Sequence, residues 1–113
     1  MSWTINFSGL SNVSYKYWNV DLARMDLLLD QPGNYAFLKP TGPKTWTPLY
    51  FGQADSLRNR LSNHERWSDA VRAGATVIVA HATQGAESVR LSEERDLIAK
   101  WNPPLNVHHR TTG

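Results

Sequence analysis

The stretch that decides the fold runs from residue 34 to residue 52 and reads NYAFLKPTGPKTWTPLYFG. Residues 34–39 form a short apolar run bounded by turn residues, which is typical of a buried strand. Residues 40–43, Pro-Thr-Gly-Pro, force a turn, and residues 45–52 read as a second strand, so the stretch predicts a hairpin with a long connection. Pro48 has no amide donor, so this part of the second strand should lie at a sheet edge or stay unpaired.

Two short helices are predicted after the hairpin. Asp55 is a suitable N-cap for a helix that begins at Ser56, because its carboxylate can accept hydrogen bonds from the free amides of the first turn. Leu57 and Leu61 lie four residues apart and form the apolar stripe of that helix. A second helical segment is expected over residues 67–73, which a glycine follows.

The last third of the chain predicts a strand over residues 75–82 and a long helix over residues 86–101, which a Pro-Pro pair ends. The order strand, strand, helix, helix, strand, helix predicts an α/β fold, with a small three-stranded mixed sheet flanked by helices. Residues 33–107 would form this core, residues 1–32 an N-terminal extension packed on it, and residues 108–113 a flexible C-terminal tail. Within the extension, residues 13–20 are rich in aromatic and β-branched residues, which favours a strand.

The composition describes one domain, since single cores commonly hold about 100–150 residues and the chain has 113. The absence of cysteine excludes a disulfide framework, a thiolate zinc site and a cysteine nucleophile. No apolar run approaches the roughly 20 residues of a spanning helix, and the first residues lack the pattern of a secretory signal. A cytoplasmic protein without a membrane partner is therefore expected.

The net charge of +2 is too small to indicate a nucleic-acid binder by itself. Residues 1–32 hold two basic and three acidic side chains, a balance of −1, so the remainder carries +3. Four arginines crowd one short stretch of that remainder: Arg58, Arg60, Arg66 and Arg72. Such a cluster suits phosphates, because each neutralised phosphate releases a counterion, but it is more often a solvated helix face. Both interpretations stay open on charge alone.

Glu94 is the most informative anomaly of the last helix. At 100° per residue it falls in the middle of an apolar stripe made of Leu91, Leu97, Ile98 and Trp101. Its neighbour Glu93 should point away, toward water. A carboxylate on an apolar face is costly unless it is paired or binds a metal. Arg90 precedes Glu94 by four residues and could neutralise it, so a structural pair and a metal or catalytic carboxylate are equally consistent with the helix.

Arg60 and His64 lie four residues apart beside the leucine stripe of the first helix, so both should point toward the sheet edge, whereas Arg58 falls on another side. An inward arginine suits the charge that develops on a phosphate, because a guanidinium can hold two oxygens at once. It can equally pair with a nearby carboxylate or helix end. Taken singly, His64, Tyr35 and Tyr50 are more often structural side chains than catalytic ones.

Several elements occur in a fixed order between residues 33 and 106: Gly33-Asn34-Tyr35, Tyr50-Phe51-Gly52, Arg60, His64, Glu94 and Pro103-Pro104-Leu105-Asn106. Together they resemble the GIY-YIG nuclease superfamily, which includes the incision domain of bacterial excision repair, certain phage homing endonucleases and some restriction enzymes. Asn34 and Phe51 stand where aliphatic residues are usual, and the hairpin connection is longer than in many members. These departures bear on the subfamily, because none removes a side chain assigned to catalysis.

The resemblance implies a metal-dependent DNA endonuclease. Glu94 would hold one divalent ion, Mg²⁺, for which Mn²⁺ should substitute. Tyr35 is the first choice for the general base, with Tyr50 assisting it or exchanging that role. Since a free tyrosine titrates near 10, the metal or Arg60 would have to lower its pKa. Arg60 would stabilise the pentavalent phosphate, and His64 would relay a proton or hold a phosphate.

DNA is the implied partner, with Arg58 and Arg66 contacting its phosphates and Asn106 contacting DNA while fixing the end of the site. Two alternatives from other classes stay open: a non-catalytic module that uses this fold to bind DNA or a protein, and a small structural adaptor whose aromatic side chains serve an interface. A metal carboxylate argues against both, because neither needs one. The sequence leaves open the DNA structure, any sequence preference and the oligomeric state.

Overall fold

The computed structural model describes residues 3–24, 28 and 30–106, and the predicted tail lies outside them. Along these residues the elements are β1 (Thr4–Ser8), β2 (Ser14–Asn19), β3 (Gly33–Gly42), β4 (Thr45–Ala54), α1 (Leu57–Ser62), α2 (Trp67–Arg72), β5 (Val77–Ala82) and α3 (Glu87–Trp101), with a short 3-10 helix at Pro104–Asn106. The predicted hairpin, the third strand and all three helices are therefore present, with shifts of a few residues at their ends, and the strand predicted over residues 13–20 is present as β2. The predicted long connection of the hairpin was wrong, because β3 and β4 stay paired as far as Gly42 and Thr45 and only residues 43 and 44 join them.

The described strands form one five-stranded sheet in the order β1-β2-β5-β3-β4, and every neighbouring pair is antiparallel. The prediction of a three-stranded mixed sheet was wrong in both respects. The two further strands come from the N-terminal extension, where Trp18 and Asn19 pair with Ala80 and Val79 of β5. Without this hairpin the amides along that edge of β5 would be unpaired, which is the physical reason for the addition.

Each face of the sheet has its own apolar cluster, because alternate strand residues point to opposite sides. The face under α1 and α2 is built from side chains that include Tyr35, Phe37, Tyr50, Leu57 and Leu61. The face under α3 is built from side chains that include Phe7, Tyr17, Ala36, Phe51 and Leu97. The two predicted catalytic tyrosines thus belong to the helix-pair face, while Glu94 comes from the helix that covers the other face.

The sheet curls around α3 until its two outer strands are in side-chain contact. β1 and β4 are at opposite ends of the strand order, yet the ring centres of Phe7 and Phe51 are 5.7 Å apart. Trp3 and Trp46 stack with ring centres 5.5 Å apart and planes 11° from parallel. Trp101, which the helical pattern placed on the core stripe, lies at the rim with 37% of its surface exposed and packs edge-on against Phe7.

The turn between β1 and β2 is tied to α3 through Asp96. The hydroxyl groups of Ser11 and Tyr15 donate to its carboxylate at 2.7 and 2.8 Å, and the amide of Ser11 donates at 2.9 Å. These hydrogen bonds, led by that from the Ser11 side chain, lower the pKa of the Asp96 carboxyl. The extension is therefore joined to the rest of the chain by strand pairing and by side chains.

Two local features decide where helices begin and end. Ser56, and not Asp55, is the N-cap of α1, because its extended backbone directs the hydroxyl to accept from the Asn59 amide at 3.2 Å. Asn102 ends α3 in the left-handed conformation, at φ 49°, and its amide donates a hydrogen bond to the carbonyl oxygen of Ile98.

Pro48 lies on β4, an edge strand, as predicted. No helix in the described part of the chain is long and apolar enough to cross a membrane.

Candidate active site

Tyr35 reaches the edge of the sheet by crossing the backbone of Gly52. The two residues are directly opposite on β3 and β4. A Cβ atom at position 52 would lie 2.4 Å from both Cζ and Oη of Tyr35, so any other residue would displace the ring. Glycine is therefore required here for a close approach, and it allows the buried Tyr35 hydroxyl to lie near the open edge of β4.

His64 is held between a backbone amide and the Tyr35 hydroxyl. The amide of Arg66 donates to Nδ1 of His64 at 3.0 Å, and Nε2 lies 2.6 Å from the Tyr35 oxygen. Burial, followed by the charge of Arg60, lowers the pKa of His64 to about 4, so the ring is neutral at neutral pH. Because Nδ1 accepts, the single ring proton is on Nε2 and is donated to Tyr35.

The hydroxyl proton of Tyr35 is then free to point toward Tyr50. A hydrogen bond from Tyr35 lowers the pKa of Tyr50, although burial and the charge of Glu94 together hold that pKa above its ordinary value. Burial also raises the pKa of Tyr35, and Arg60 opposes that increase. The ring proton of His64 is thus donated to Tyr35, which leaves the Tyr35 hydroxyl able to donate to Tyr50.

Arg60 is the cation of this group. Its two terminal nitrogens donate to the carboxylate of Glu65 at 2.7 and 2.9 Å, and it also interacts with the Tyr35 hydroxyl. The pairing with Arg60 lowers the pKa of Glu65 to about 2. The sequence left open whether Arg60 pairs with a carboxylate or faces the site, and in this structure it does both. Glu65 is solvent-exposed, so its ion pair with Arg60 is weak and a competing anion can replace the carboxylate.

Glu94 approaches the tyrosines from α3. It is half-buried, and burial raises the pKa of its carboxyl to about 7, with only a small opposing effect from Arg95. Its charge raises the pKa of both Tyr50 and Tyr35. Within the described residues Glu94 forms no hydrogen bond or ion pair with Arg90, whose Nε instead donates to Gln53 at 3.1 Å. The predicted structural pair is therefore not formed.

Glu94 is directed to this edge by its neighbour Glu93. One carboxylate oxygen of Glu93 accepts from Nδ2 of Asn34 at 2.7 Å and from the Thr83 hydroxyl at 2.6 Å. Its other oxygen lies 3.6 Å from Nε2 of His81. The prediction that Glu93 points to water was wrong, because polar groups of β3 and β5 meet it. Since successive helical residues differ by about 100°, anchoring Glu93 over β3 turns Glu94 toward β4.

The site suits a magnesium ion better than a metal held by protein ligands alone. Among the described residues there is no group of three or more His, Cys, Asp or Glu side chains placed to hold a metal ion. Mg²⁺ usually keeps several waters and binds through one or two carboxylates together with substrate phosphates. The carboxylate of Glu94 offers hard oxygens and forms no ion pair among the described residues, and its charge acts on both Tyr35 and Tyr50. These residues fit that ion.

The predicted DNA-contacting residues have separate environments. Arg58 forms an ion pair with Asp30 at 3.4 Å, and Arg66 forms one with Asp69 at 3.3 Å. Asn106 is 1% exposed, and its side-chain amide bonds both backbone groups of Phe51, at 2.9 and 3.0 Å. That burial supports the expected role of Asn106 in fixing the end of the site and does not support a DNA contact.

Comparison with solved structures defines the class of fold. The GIY-YIG N-terminal endonuclease domain of UvrC from Thermotoga maritima, bound to magnesium as its catalytic divalent cation, matches with a TM-score of 0.60 and 25% identity, over 74% of this chain and 92% of that chain. Two tyrosine-to-phenylalanine point mutants of that domain, bound to the catalytic divalent cation, match with TM-scores of 0.59, at 27% and 26% identity, over 74% of this chain and 91% of theirs. The chain has the GIY-YIG fold, as the sequence resemblance predicted. No protein-family model matches the sequence, and no curated protein matches it either.

Proposed function

We propose that this protein is a metal-dependent endonuclease that hydrolyses phosphodiester bonds of DNA. The observation that carries the proposal is the contact between His64 and Tyr35, which leaves the Tyr35 hydroxyl proton free for Tyr50, together with the half-buried carboxyl of Glu94, whose charge acts on both tyrosines. A structural role for these side chains does not require the ring proton of His64 to be directed at Tyr35, and it does not require a half-buried carboxyl that has no ion pair among the described residues. The similarity to magnesium-bound endonuclease domains supports the same proposal.

Tyr50 is the group best placed to take the proton of the attacking water. As a phenolate it would be stabilised by the Tyr35 hydroxyl, which in turn accepts from His64. Tyr35 was the first choice from the sequence, and the donor direction favours the exchange of roles that the sequence allowed. His64 has a pKa of about 4 and both ring nitrogens engaged, so it acts as a donor to Tyr35 and stores no proton at neutral pH.

Glu94 would hold the divalent ion. When bound there, Mg²⁺ would supply positive charge that offsets the charge on the transferring phosphate and favours ionised hydroxyl groups nearby. Glu93 would act indirectly, because its hydrogen bonds to Asn34 and Thr83 fix the direction in which Glu94 leaves α3. Asn106 fixes the other boundary by holding the backbone of Phe51, next to Tyr50.

Arg60 would stabilise the pentavalent phosphate. Its contact with Tyr35 places it at the site, and its exposed pairing with Glu65 can give way to phosphate oxygens. We expect Arg60→Ala to lower kcat by about 100-fold or more, the scale of losing one preorganised donor. Arg58→Ala is the matched control, because Arg58 pairs with Asp30 away from the tyrosines, and it should mainly weaken DNA binding. A nearly inactive Arg58→Ala beside an active Arg60→Ala would contradict this assignment.

The positioning role of Glu93 makes a separate prediction. Glu93→Ala should lower cleavage by about 10-fold and raise the Mg²⁺ concentration needed for half-maximal rate, the usual scale for a residue that orients a metal ligand. Glu93→Gln keeps an oxygen that can accept from Asn34, so it should recover most of the activity. Titrating Mg²⁺ in a plasmid-nicking assay measures both values. Equal losses in the two variants, with an unchanged Mg²⁺ requirement, would exclude a role through Glu94.

Supercoiled plasmid incubated with Mg²⁺, Mn²⁺ or chelator tests the proposed function as a whole. Nicked or linear products that form with either metal and disappear in chelator are expected. Binding of DNA without cleavage under any metal would favour the non-catalytic module instead.

A further inference from the structure

A polar pocket of about 620 Å³ opens beside Arg60, between the end of β4, the start of α1 and the first turns of α3. The side chains that matter for its chemistry are Gln53, Asn59, Arg60 and Arg90, with the exposed acids Asp55 and Glu87 also on its wall. It adjoins the candidate active site because Arg60 belongs to both. The roles assigned to the tyrosines and Glu94 leave this pocket unexplained.

Arg90 is the unusual member of the pocket. Only 7% of its surface is exposed, yet the described residues provide no carboxylate within ion-pair distance. Its Nε donates to the side-chain oxygen of Gln53 at 3.1 Å, and within the described part of the chain no acceptor meets its two terminal nitrogens. These terminal nitrogens are not fully buried and open onto the pocket, where an anion can replace water as their partner.

The arginines in and near α1 differ from Arg90 in their partners. Each of them has a carboxylate partner: Arg58 with Asp30, Arg60 with Glu65, and Arg66 and Arg72 both with Asp69. Those four are exposed or half-exposed. Among the described residues, the more deeply buried Arg90 side chain meets a neutral amide oxygen and no carboxylate, and that contact orients the guanidinium plane without neutralising it.

We propose that Arg90 binds a phosphate group of the DNA strand that flanks the phosphate held by Arg60. This inference rests on the proposed function, because it takes the ligand to be a nucleic acid. Gln53 holds Nε and leaves the two terminal nitrogens, which suit two oxygens of one phosphate. With two acidic side chains on the wall, the pocket attracts a phosphate by directed donors and not by a broad positive field.

Equilibrium binding to a short labelled DNA duplex in chelator tests the inference without any cleavage. Arg90→Met should weaken binding by about 10-fold, the loss of one charged hydrogen-bonded contact, and should reduce the slope of log affinity against log salt by about 0.9. Gln53→Leu, which removes the orienting acceptor but no charge, should weaken binding less and leave the salt slope unchanged. Arg72→Met removes the same charge from an exposed position, and its affinity and salt slope should stay near those of the wild type.

Folding does not obscure this test, because replacing an unneutralised buried arginine with an apolar side chain of similar length should leave the melting temperature unchanged or higher. An NMR titration with inorganic phosphate provides a second measurement. The Nε–H resonance of Arg90, assigned by its absence in Arg90→Lys, should shift in the wild type and should need a higher phosphate concentration to shift in Gln53→Leu.

The outcomes separate this inference from the proposed function. Wild-type cleavage together with unchanged affinity and salt slope in Arg90→Met would overturn the phosphate site and leave the endonuclease standing. Absence of cleavage under every metal, together with the expected losses in Arg90→Met, would overturn the endonuclease and retain the phosphate site. Equal losses in Arg72→Met and Arg90→Met would show only a general charge effect and would overturn the inference.

Discussion

We expect Glu94→Gln to abolish cleavage and to leave the metal-free protein at least as stable as the wild type. The amide keeps the shape of the side chain but cannot supply the charged oxygen that Mg²⁺ prefers. Removing a carboxylate from a half-buried position without a cation also removes an unfavourable charge. Loss of activity and gain of stability should therefore occur in the same variant.

The pKa of Glu94 determines whether Glu94→Gln is more or less stable than the wild type at a given pH. Burial raises the pKa of Glu94 from 4.5 in an exposed chain to about 7 in the folded protein. Between these values the unfolded chain has already lost a proton that the folded protein keeps, so stability falls as the pH rises. The favourable contribution is complete below pH 4.5 and is lost as the pH rises through 7. At higher pH we expect Glu94→Gln to exceed the wild type by roughly 1–3 kcal/mol in free energy of unfolding.

Thermal melting in chelator across this pH range measures the effect, and a repeat with Mg²⁺ should stabilise the wild type but not Glu94→Gln. Glu87→Gln is the matched control for melting, because it removes an exposed carboxylate from the same helix and should leave the pH profile unchanged. A fall of about 3–5 kcal/mol in Glu94→Gln, the typical result of breaking a buried ion pair, would instead indicate a structural partner for Glu94.

Much of the framework was predictable because it rests on local patterns. The apolar runs on either side of residues 40–43 predicted the β3–β4 hairpin, and α3 ends where Asn102 and the two prolines allow no further turn. Glu94 was found because a carboxylate interrupts an apolar stripe, which a single helix can reveal. The five-stranded sheet was not predictable in this way, since the pairing of β2 with β5 depends on a free strand edge and leaves no local signal.

In the site, too, the orientation of single side chains depends on contacts with distant parts of the chain, which local sequence patterns do not reveal. A helical wheel directs Glu93 to water, whereas Asn34 and Thr83 hold it against the sheet. A signal was present, because Asn34 is a polar residue inside a strand predicted to be buried, and such a residue needs a partner. The direction of the donors through His64 had no sequence signal, since it depends on the amide of Arg66 reaching Nδ1.

The second large effect distinguishes the two tyrosines. Tyr50→Phe keeps the aromatic ring but removes the proposed proton acceptor, so kcat should fall by about 10²–10⁴-fold, the range for losing a general base. The residual rate should not recover as the pH rises, because no other group in the series can replace the missing oxygen. Binding of the DNA duplex in chelator should remain close to that of the wild type and serves as the control for folding.

Tyr35→Phe should differ in kind and not only in size. It removes the donor that stabilises the Tyr50 phenolate, a charged hydrogen bond whose loss should lower the rate near neutral pH by about 10–100-fold. Because that donor lowers the pKa of Tyr50, its loss should move the rising limb of the pH–rate profile to higher pH, where activity recovers. His64 would lose its acceptor, so a small fall in melting temperature is also expected. A Tyr35→Phe variant that is slower than Tyr50→Phe at every pH, with no shift of the profile, would return the role of general base to Tyr35.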